Sequence, residues 1–207
     1  MSVNNNLTGL VVCGGSSSRM GFDKSMLTYY SKPQKYHLYE MLRKFCSNVY
    51  ISCNRDQVAE TDLPYISDAE CFTDTGPVAS LMSAFSLYPE KNFLIVGCDY
   101  PFIKEKDLTG FLTSLKGDRP AAAFYNEKEN LYEPLLAFYS SECSGLLKDM
   151  FKIKQYSLQY FLKAVCAEKY IPSDIRVIKS ADTPEDFIYA RSEIDNELYP
   201  EKVVYQK

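Results

Sequence analysis

Leu10-Val11-Val12-Cys13-Gly14-Gly15-Ser16-Ser17-Ser18-Arg19-Met20-Gly21-Phe22-Asp23-Lys24 is the stretch whose reading decides the fold. An apolar run ends in paired glycines, three serines, an arginine, a third glycine and a lysine. That order describes a buried strand opening into a loop able to wrap a phosphate chain. Glycines permit close approach of the backbone to a ligand, and successive backbone N–H groups in such a bend form an anion-binding concavity. Arg19 and Lys24 add positive charge. The spacing is neither the G-x-x-x-x-G-K-[ST] of a P-loop nor the G-x-G-x-x-G of a dinucleotide fold. A phosphoryl-hydrolysing ATPase and a nicotinamide dehydrogenase are both disfavoured.

Working outward, apolar runs alternate with helix-spaced segments. Strands are expected at 7–12, 49–53, 65–66, 93–96, 121–125, 135–139 and 176–178. Helices are expected at 36–45, 78–87, 106–114, 146–150, 158–167 and 183–190, and the polar 127–130 stretch reads as a hairpin or loop tip. The alternation predicts parallel βαβ units and an α/β fold. With 207 residues, and no repeat or linker dividing them, one domain covering 1–207 is expected. Its nucleotide-binding part would be about 7–104 and its acceptor-binding part about 105–195.

Bulk composition narrows the function. The net charge of −4 argues against general nucleic-acid binding, which needs a basic footprint. No apolar run approaches a membrane span and no signal peptide is visible, so a cytoplasmic protein without a membrane partner is expected. A monomer or weak oligomer is expected too. Seven cysteines in an odd set without C-x-x-C, beside the single His37, suit reduced, non-ligating thiols.

In open α/β sheets ligands bind beyond the carboxyl ends of the strands. Polar residues stand at several such ends: the glycine loop, Asn54, Asp68 and Asp99. Asp99 leaves a wholly apolar run and precedes Tyr100-Pro101. A carboxylate there, opposite a phosphate loop, suits Mg²⁺, which takes one or two carboxylates plus phosphates and waters. The competing reading is a turn-capping aspartate. Lys24 and Arg19 are phosphate binders or surface cations, and Asn54 and Asp68 ribose or base ligands or turn formers. Tyr29, Tyr30 and Tyr100 are filler or stacking platforms near the rim.

The loop also resembles the signature of the molybdenum cofactor nucleotidyltransferases, and among them the guanylyltransferases. Further stretches match in order: Ile51-Ser52-Cys53-Asn54-Arg55, Gly76-Pro77-Val78-Ala79-Ser80-Leu81, Cys98-Asp99-Tyr100-Pro101-Phe102-Ile103, Glu133-Pro134-Leu135-Leu136-Ala137-Phe138-Tyr139 and Asp182-Thr183-Pro184-Glu185-Asp186-Phe187. The resemblance implies a three-layer α/β/α fold with a mostly parallel central sheet, of the nucleotide-diphospho-sugar transferase (GT-A-like) type. It implies GTP and Mg²⁺, with molybdenum-bearing molybdopterin as acceptor. Val12, Cys13, Gly14 and Gly15 would line the nucleotide loop, Lys24 would contact phosphates, and Asn54 and Asp68 would hold the guanosine. Asp99 would bind Mg²⁺, with Asp182 as a second ligand in related cytidylyltransferases. The acceptor's terminal phosphate would attack the α-phosphate of GTP and release pyrophosphate, with Arg19, Lys24 and Asp99 as the catalytic set. Three positions depart from the family's habit: Cys13 replaces alanine, Asp182 replaces asparagine, and Gln159 replaces a basic residue. Two alternatives stand beside the guanylyltransferase reading. One is a cytidylyltransferase or other nucleotidyltransferase of the same fold; the other is a non-catalytic nucleotide-binding protein.

Overall fold

The computed structural model describes residues 4–13, 24–54 and 62–200. Seven strands form one sheet in the order β3-β2-β1-β4-β6-β5-β7. β1 (Asn4–Val12) lies between β2 (Cys46–Cys53) and β4 (Asn92–Gly97), parallel to both, and β2 carries β3 (Tyr65–Ser67). β5 (Ala121–Asn126) and β6 (Leu131–Tyr139) make a hairpin; β6 runs antiparallel to β4, and β7 (Glu168–Tyr170) pairs parallel with β5. The sheet is thus mostly parallel, as expected, with β6 alone reversed. The expected hairpin tip at 127–130 is what reverses it: Asn130 takes a left-handed φ of 58°, and Asn126 Oδ1 accepts the backbone N–H of Glu129.

Helices cover both faces, so the parallel strands are apolar on both sides. Along β1 and β4 the faces alternate with the period of two that a strand imposes. Leu7, Val11, Leu94 and Val96 point to one layer, where α1 (Gln34–Leu42) and α3 (Glu105–Ser114) supply Leu38, Leu42, Leu108 and Phe111. Leu10, Val12, Phe93 and Ile95 point to the other. There α2 (Val78–Leu87), α4 (Cys143–Lys152) and α5 (Leu158–Ala164) close the core. Eight of the ten α2 residues are buried, and an apolar helix without a polar stripe belongs inside. A third cluster joins Leu27, Tyr29 and Phe102 to Ala190 and Ile194 of α6 (Pro184–Leu198).

Two expectations are corrected. The stretch 176–178 is not a strand but part of a 3-10 turn, Ile175–Ile178. The Asp174 carboxylate accepts the N–H of Arg176 and grips its guanidinium at 2.7 Å, a local bond that competes with strand pairing. The last strand is instead β7, inside a stretch whose first part, 158–167, reads as continuous helix. α5 ends at Ala164, Cys166 turns left-handed at φ 49°, and Tyr170 then packs edge-on against Phe111 and Phe124. β6 also starts four residues before the expected 135. Pro134 lies where its pairing with β5 slips: Ala123 faces Ala137 while the next residue, Phe124, faces Glu133. A bulge is where a strand tolerates proline. It also brings Glu133 to the rim where β4 ends.

Candidate active site

The carboxyl ends of β1, β2, β3 and β4 share one rim, and β6, running the other way, begins there. Gly14, Gly15 and Arg19 lie outside the described residues, as do Ser16–Ser18. The loop reappears at Lys24, which opens a 3-10 turn. Lys24 Nζ meets Asp182 Oδ1 at 2.7 Å, while Ser180 donates to Asp182 Oδ2 at 2.7 Å. The backbone explains the meeting. Ala181 N–H donates to the Asp99 carbonyl at 2.7 Å, which pins the segment before α6 to the end of β4. Asp99, Asp182 and Lys24 therefore gather at one place from sequence positions far apart.

Asp99 is held short of solvation. Its Oδ1 is buried and has no hydrogen-bond partner among the described residues. Burial pushes its pKa from 3.8 to about 6, the Asp182 carboxylate adds to the rise, and the Lys24 ammonium opposes it. A Cβ on Gly97 would stand 2.4 Å from this same oxygen, so only glycine lets the carboxyl fold back over the strand end. Directly after Asp99, Tyr100 donates its hydroxyl to Glu133 Oε2 at 2.8 Å. Burial drives Glu133 up to about 7, and Asp99 contributes to that shift. Three carboxylates thus stand at one rim with two of them short of solvation. Oxygen-only donors of this kind suit a hard cation, and the buried lone oxygen of Asp99 is the vacancy in hydrogen bonding that a cation would fill. Among the described residues no group of three or more His, Cys, Asp or Glu side chains is placed to hold a metal ion by itself.

The other expected residues take distinct places. Val12 and Cys13 are buried in the cores; the Val12 carbonyl accepts Cys98 N–H and Cys13 N–H donates to Ser52, each at 3.0 Å. These two groups are spent on the sheet. Asn54 is half-buried directly after β2. Asp68 is tied to it, since its N–H donates to the Cys53 carbonyl at 3.1 Å. Asp68 hydrogen-bonds Ser80, burial raises its pKa, and its Oδ1 is buried without a partner among the described residues.

Tyr29, Tyr30 and Tyr100 are not free platforms. Tyr29 is 1% exposed and edge-on to Phe187, Tyr30 stacks on His37 at 4.2 Å, and Tyr100 is committed to Glu133. Asp182 is not the α6 cap. Thr183 fills that role with Asp186 in a reciprocal capping box. Gln159 bonds the Tyr132 backbone through both ends of its amide, at 3.0 and 2.7 Å, so it pins α5 to β6. Sequence reading missed Glu133 as a rim residue. Its signal was a glutamate before a proline inside an apolar run, legible only once that run is known to be antiparallel. A cavity of about 420 Å³ lies on the opposite side, lined by Phe111, Leu115, Arg119, Glu168 and Tyr170. It sits at the amino end of β5, away from the rim carboxylates, and Lys116, Asp118 and Lys169 also line it.

Against known proteins, the profile of the MobA-like NTP transferase domain matches residues 9–169. A "Molybdenum cofactor biosynthesis bifunctional protein" of Synechocystis is 28% identical over 184 residues, covering 87% of this chain and 52% of its own length. This chain therefore spans about half of that relative. A "Molybdenum cofactor guanylyltransferase" of Campylobacter jejuni is 30% identical over 146 residues, covering 70% of this chain and 74% of the relative. Among solved structures, a "Molybdopterin-guanine dinucleotide biosynthesis protein A" from Archaeoglobus fulgidus superposes with a TM-score of 0.74, covering 91% of this chain and 99% of that one. At 18% identity that likeness speaks for the fold.

Proposed function

This chain belongs to the MobA-like NTP transferase family, and on that premise we propose that it transfers GMP from GTP to the terminal phosphate of molybdenum-molybdopterin, releasing pyrophosphate. The observation that carries the reading is Asp99: a buried carboxylate oxygen with no partner among the described residues, at the end of β4, beside the Lys24–Asp182 pair.

The attacking phosphate is already an anion, so neither a protein nucleophile nor a strong base is required. The work is to hold two polyanions in line and to offset their repulsion. Lys24, Arg19 and the loop amides at Gly14 and Gly15 would take the triphosphate, with Val12 and Cys13 fixing where that loop starts. Asn54 and Asp68 would hold the guanosine. Asp99, with Asp182 beside it, would hold Mg²⁺, which when bound neutralises phosphate charge. Lys24 must then pass from Asp182 to the phosphates, or bridge both. Positive groups placed in advance on the leaving pyrophosphate stabilise the charge that develops there. The near absence of histidine is no obstacle to such a reaction.

A second reading, use of CTP, rests on Asp182, because the resemblance gives a carboxylate at that position to related cytidylyltransferases. A thermal-shift titration with GTP, CTP, ATP and UTP in Mg²⁺ decides between them, since selective binding stabilises the native state by linkage. GTP alone should raise the midpoint strongly, and pyrophosphate should appear only when the molybdopterin acceptor is added. A larger rise with CTP gives the base choice to the second reading. Equal rises with all four, and no pyrophosphate, would defeat both.

A further inference from the structure

Cys13 and Cys98 occupy the first positions beyond β1 and β4, in register across the sheet. The ladder pairs Val12 with Gly97, and Cys98 N–H donates to the Val12 carbonyl. Their sulfurs lie 3.1 Å apart and both residues are buried. One is followed directly by the glycine loop and the other by Asp99. We infer that Cys13 and Cys98 form a closable dithiol, oxidised by a hydroperoxide to a disulfide that clamps the two strand ends bearing the phosphate loop and Asp99.

The geometry is close to what the bond needs. Neighbouring strands lie about 4.8 Å apart, inside the Cα separation of roughly 4.4–6.8 Å that a disulfide accepts. The sulfurs must approach by about 1 Å to reach the bonded length of about 2.05 Å. The chemistry balances without further reactants. The thiolate of Cys13, the more exposed of the two at 8% against 3%, attacks one peroxide oxygen. The O–O bond breaks and hydroxide leaves, taking up the thiol proton as water. Cys98 then attacks the sulfenic sulfur, an S–S bond replaces the S–O bond, and the second oxygen departs as water. Each sulfur loses one electron and the peroxide gains two. Of the other five thiols, Cys53 ends β2, on the opposite side of β1 from β4, and is buried. Cys46 and Cys143 are held up to about 12 by burial, hence poorly reactive. Cys71 and Cys166 are exposed, and belong to neither strand end.

The consequence for nucleotide binding rests on the function proposed above, whereas the linkage itself does not. The full chain is treated with hydrogen peroxide, digested without reductant and mapped by mass spectrometry. In parallel, the GTP-dependent rise in melting midpoint is measured before oxidation, after it, and after dithiothreitol. The expected result is a peptide linked through Cys13 and Cys98, loss of most of the GTP-dependent rise, and recovery on reduction. In Cys98→Ala the peroxide should leave that variant's own GTP response unchanged. A map showing Cys13 joined to Cys53, or sulfinic acid with no linkage, overturns the site. A correct linkage with an undiminished GTP response overturns the clamp. Should the reduced protein respond to no nucleotide, the functional reading fails, and the linkage map alone still decides the dithiol.

Discussion

The parallel half of the sheet, β3-β2-β1-β4, and the half built on the β5–β6 hairpin differ in how they treat polar groups. At the ends of β3 and β4, Asp68 and Asp99 each bury a carboxylate oxygen without a partner among the described residues. In the hairpin half no carboxylate oxygen is left so among the described residues, although the Ser140 hydroxyl just past β6 is. Gln159 bonds the Tyr132 backbone twice, the Tyr132 hydroxyl donates to the Ala167 carbonyl at 2.9 Å, and Glu168 accepts both Lys116 and Gly117 N–H. An unpaired buried polar atom costs about 1–3 kcal/mol. Two buried carboxylate oxygens at one rim mark it as the place where an incoming ligand would relieve that cost.

The comparison can be broken in four places. Asp99→Ala should reduce transfer by on the order of 10³-fold or more, the scale of losing a preorganised electrostatic group; rate assays at saturating Mg²⁺ that give wild-type turnover would remove Asp99 from the mechanism. Phe111→Ala strikes the other half. Phe111 is fully buried against Phe124, with ring centroids 4.9 Å apart, so denaturant unfolding should register a loss of about 3–5 kcal/mol. Nucleotide affinity of the folded fraction should hold, and a parallel collapse of affinity would mean that the halves are not separable. Lys24→Ala should weaken triphosphate binding by about 1.5–3 kcal/mol, the range for a charge-assisted contact; calorimetry showing unchanged affinity would return Lys24 to the role of an ion-pair partner for Asp182.

The smallest effect concerns pH. The Asp99 carboxyl titrates near 6 when folded, above its ordinary 3.8. The folded state therefore holds the proton more tightly than the unfolded one. Its contribution to stability is fully present below 3.8 and is lost as pH rises through about 6. At neutral pH and above, the ligand-free protein carries the cost of an ionised, poorly solvated carboxylate. Asp99→Asn should then raise ligand-free stability by on the order of 1–3 kcal/mol, seen as a higher melting midpoint without nucleotide, while the Mg²⁺-dependent response disappears. A lower midpoint for that variant above neutral pH would show that the carboxylate is stabilised by partners rather than strained.

The sheet's parallel half was legible in its order of elements, although β1 and β2 each begin three residues before the expected start, at Asn4 and Cys46. Strands 7–12 and 93–96 and the helix at 78–87 are long apolar patterns, and local pattern is what such elements obey. The turn at Ile175–Ile178 and the strand at Glu168–Tyr170 were not, because each answers to a partner distant in sequence or to a side chain that outbids the ladder. Arg176 follows Asp174, and Tyr170 follows Phe111 and Phe124.

The sequence by itself determined the alternating α/β plan, the glycine-rich loop after the first strand, and the polar residues waiting at strand ends. Each of these is written in neighbours, through period and turn chemistry. Only the tertiary structure decided that β6 lies beside β4 and delivers Glu133 to its end, that Asp182 reaches Lys24, and that Cys13 touches Cys98. Those are meetings between residues far apart in the chain, set by strand order and register, and no local pattern encodes which strand lies beside which.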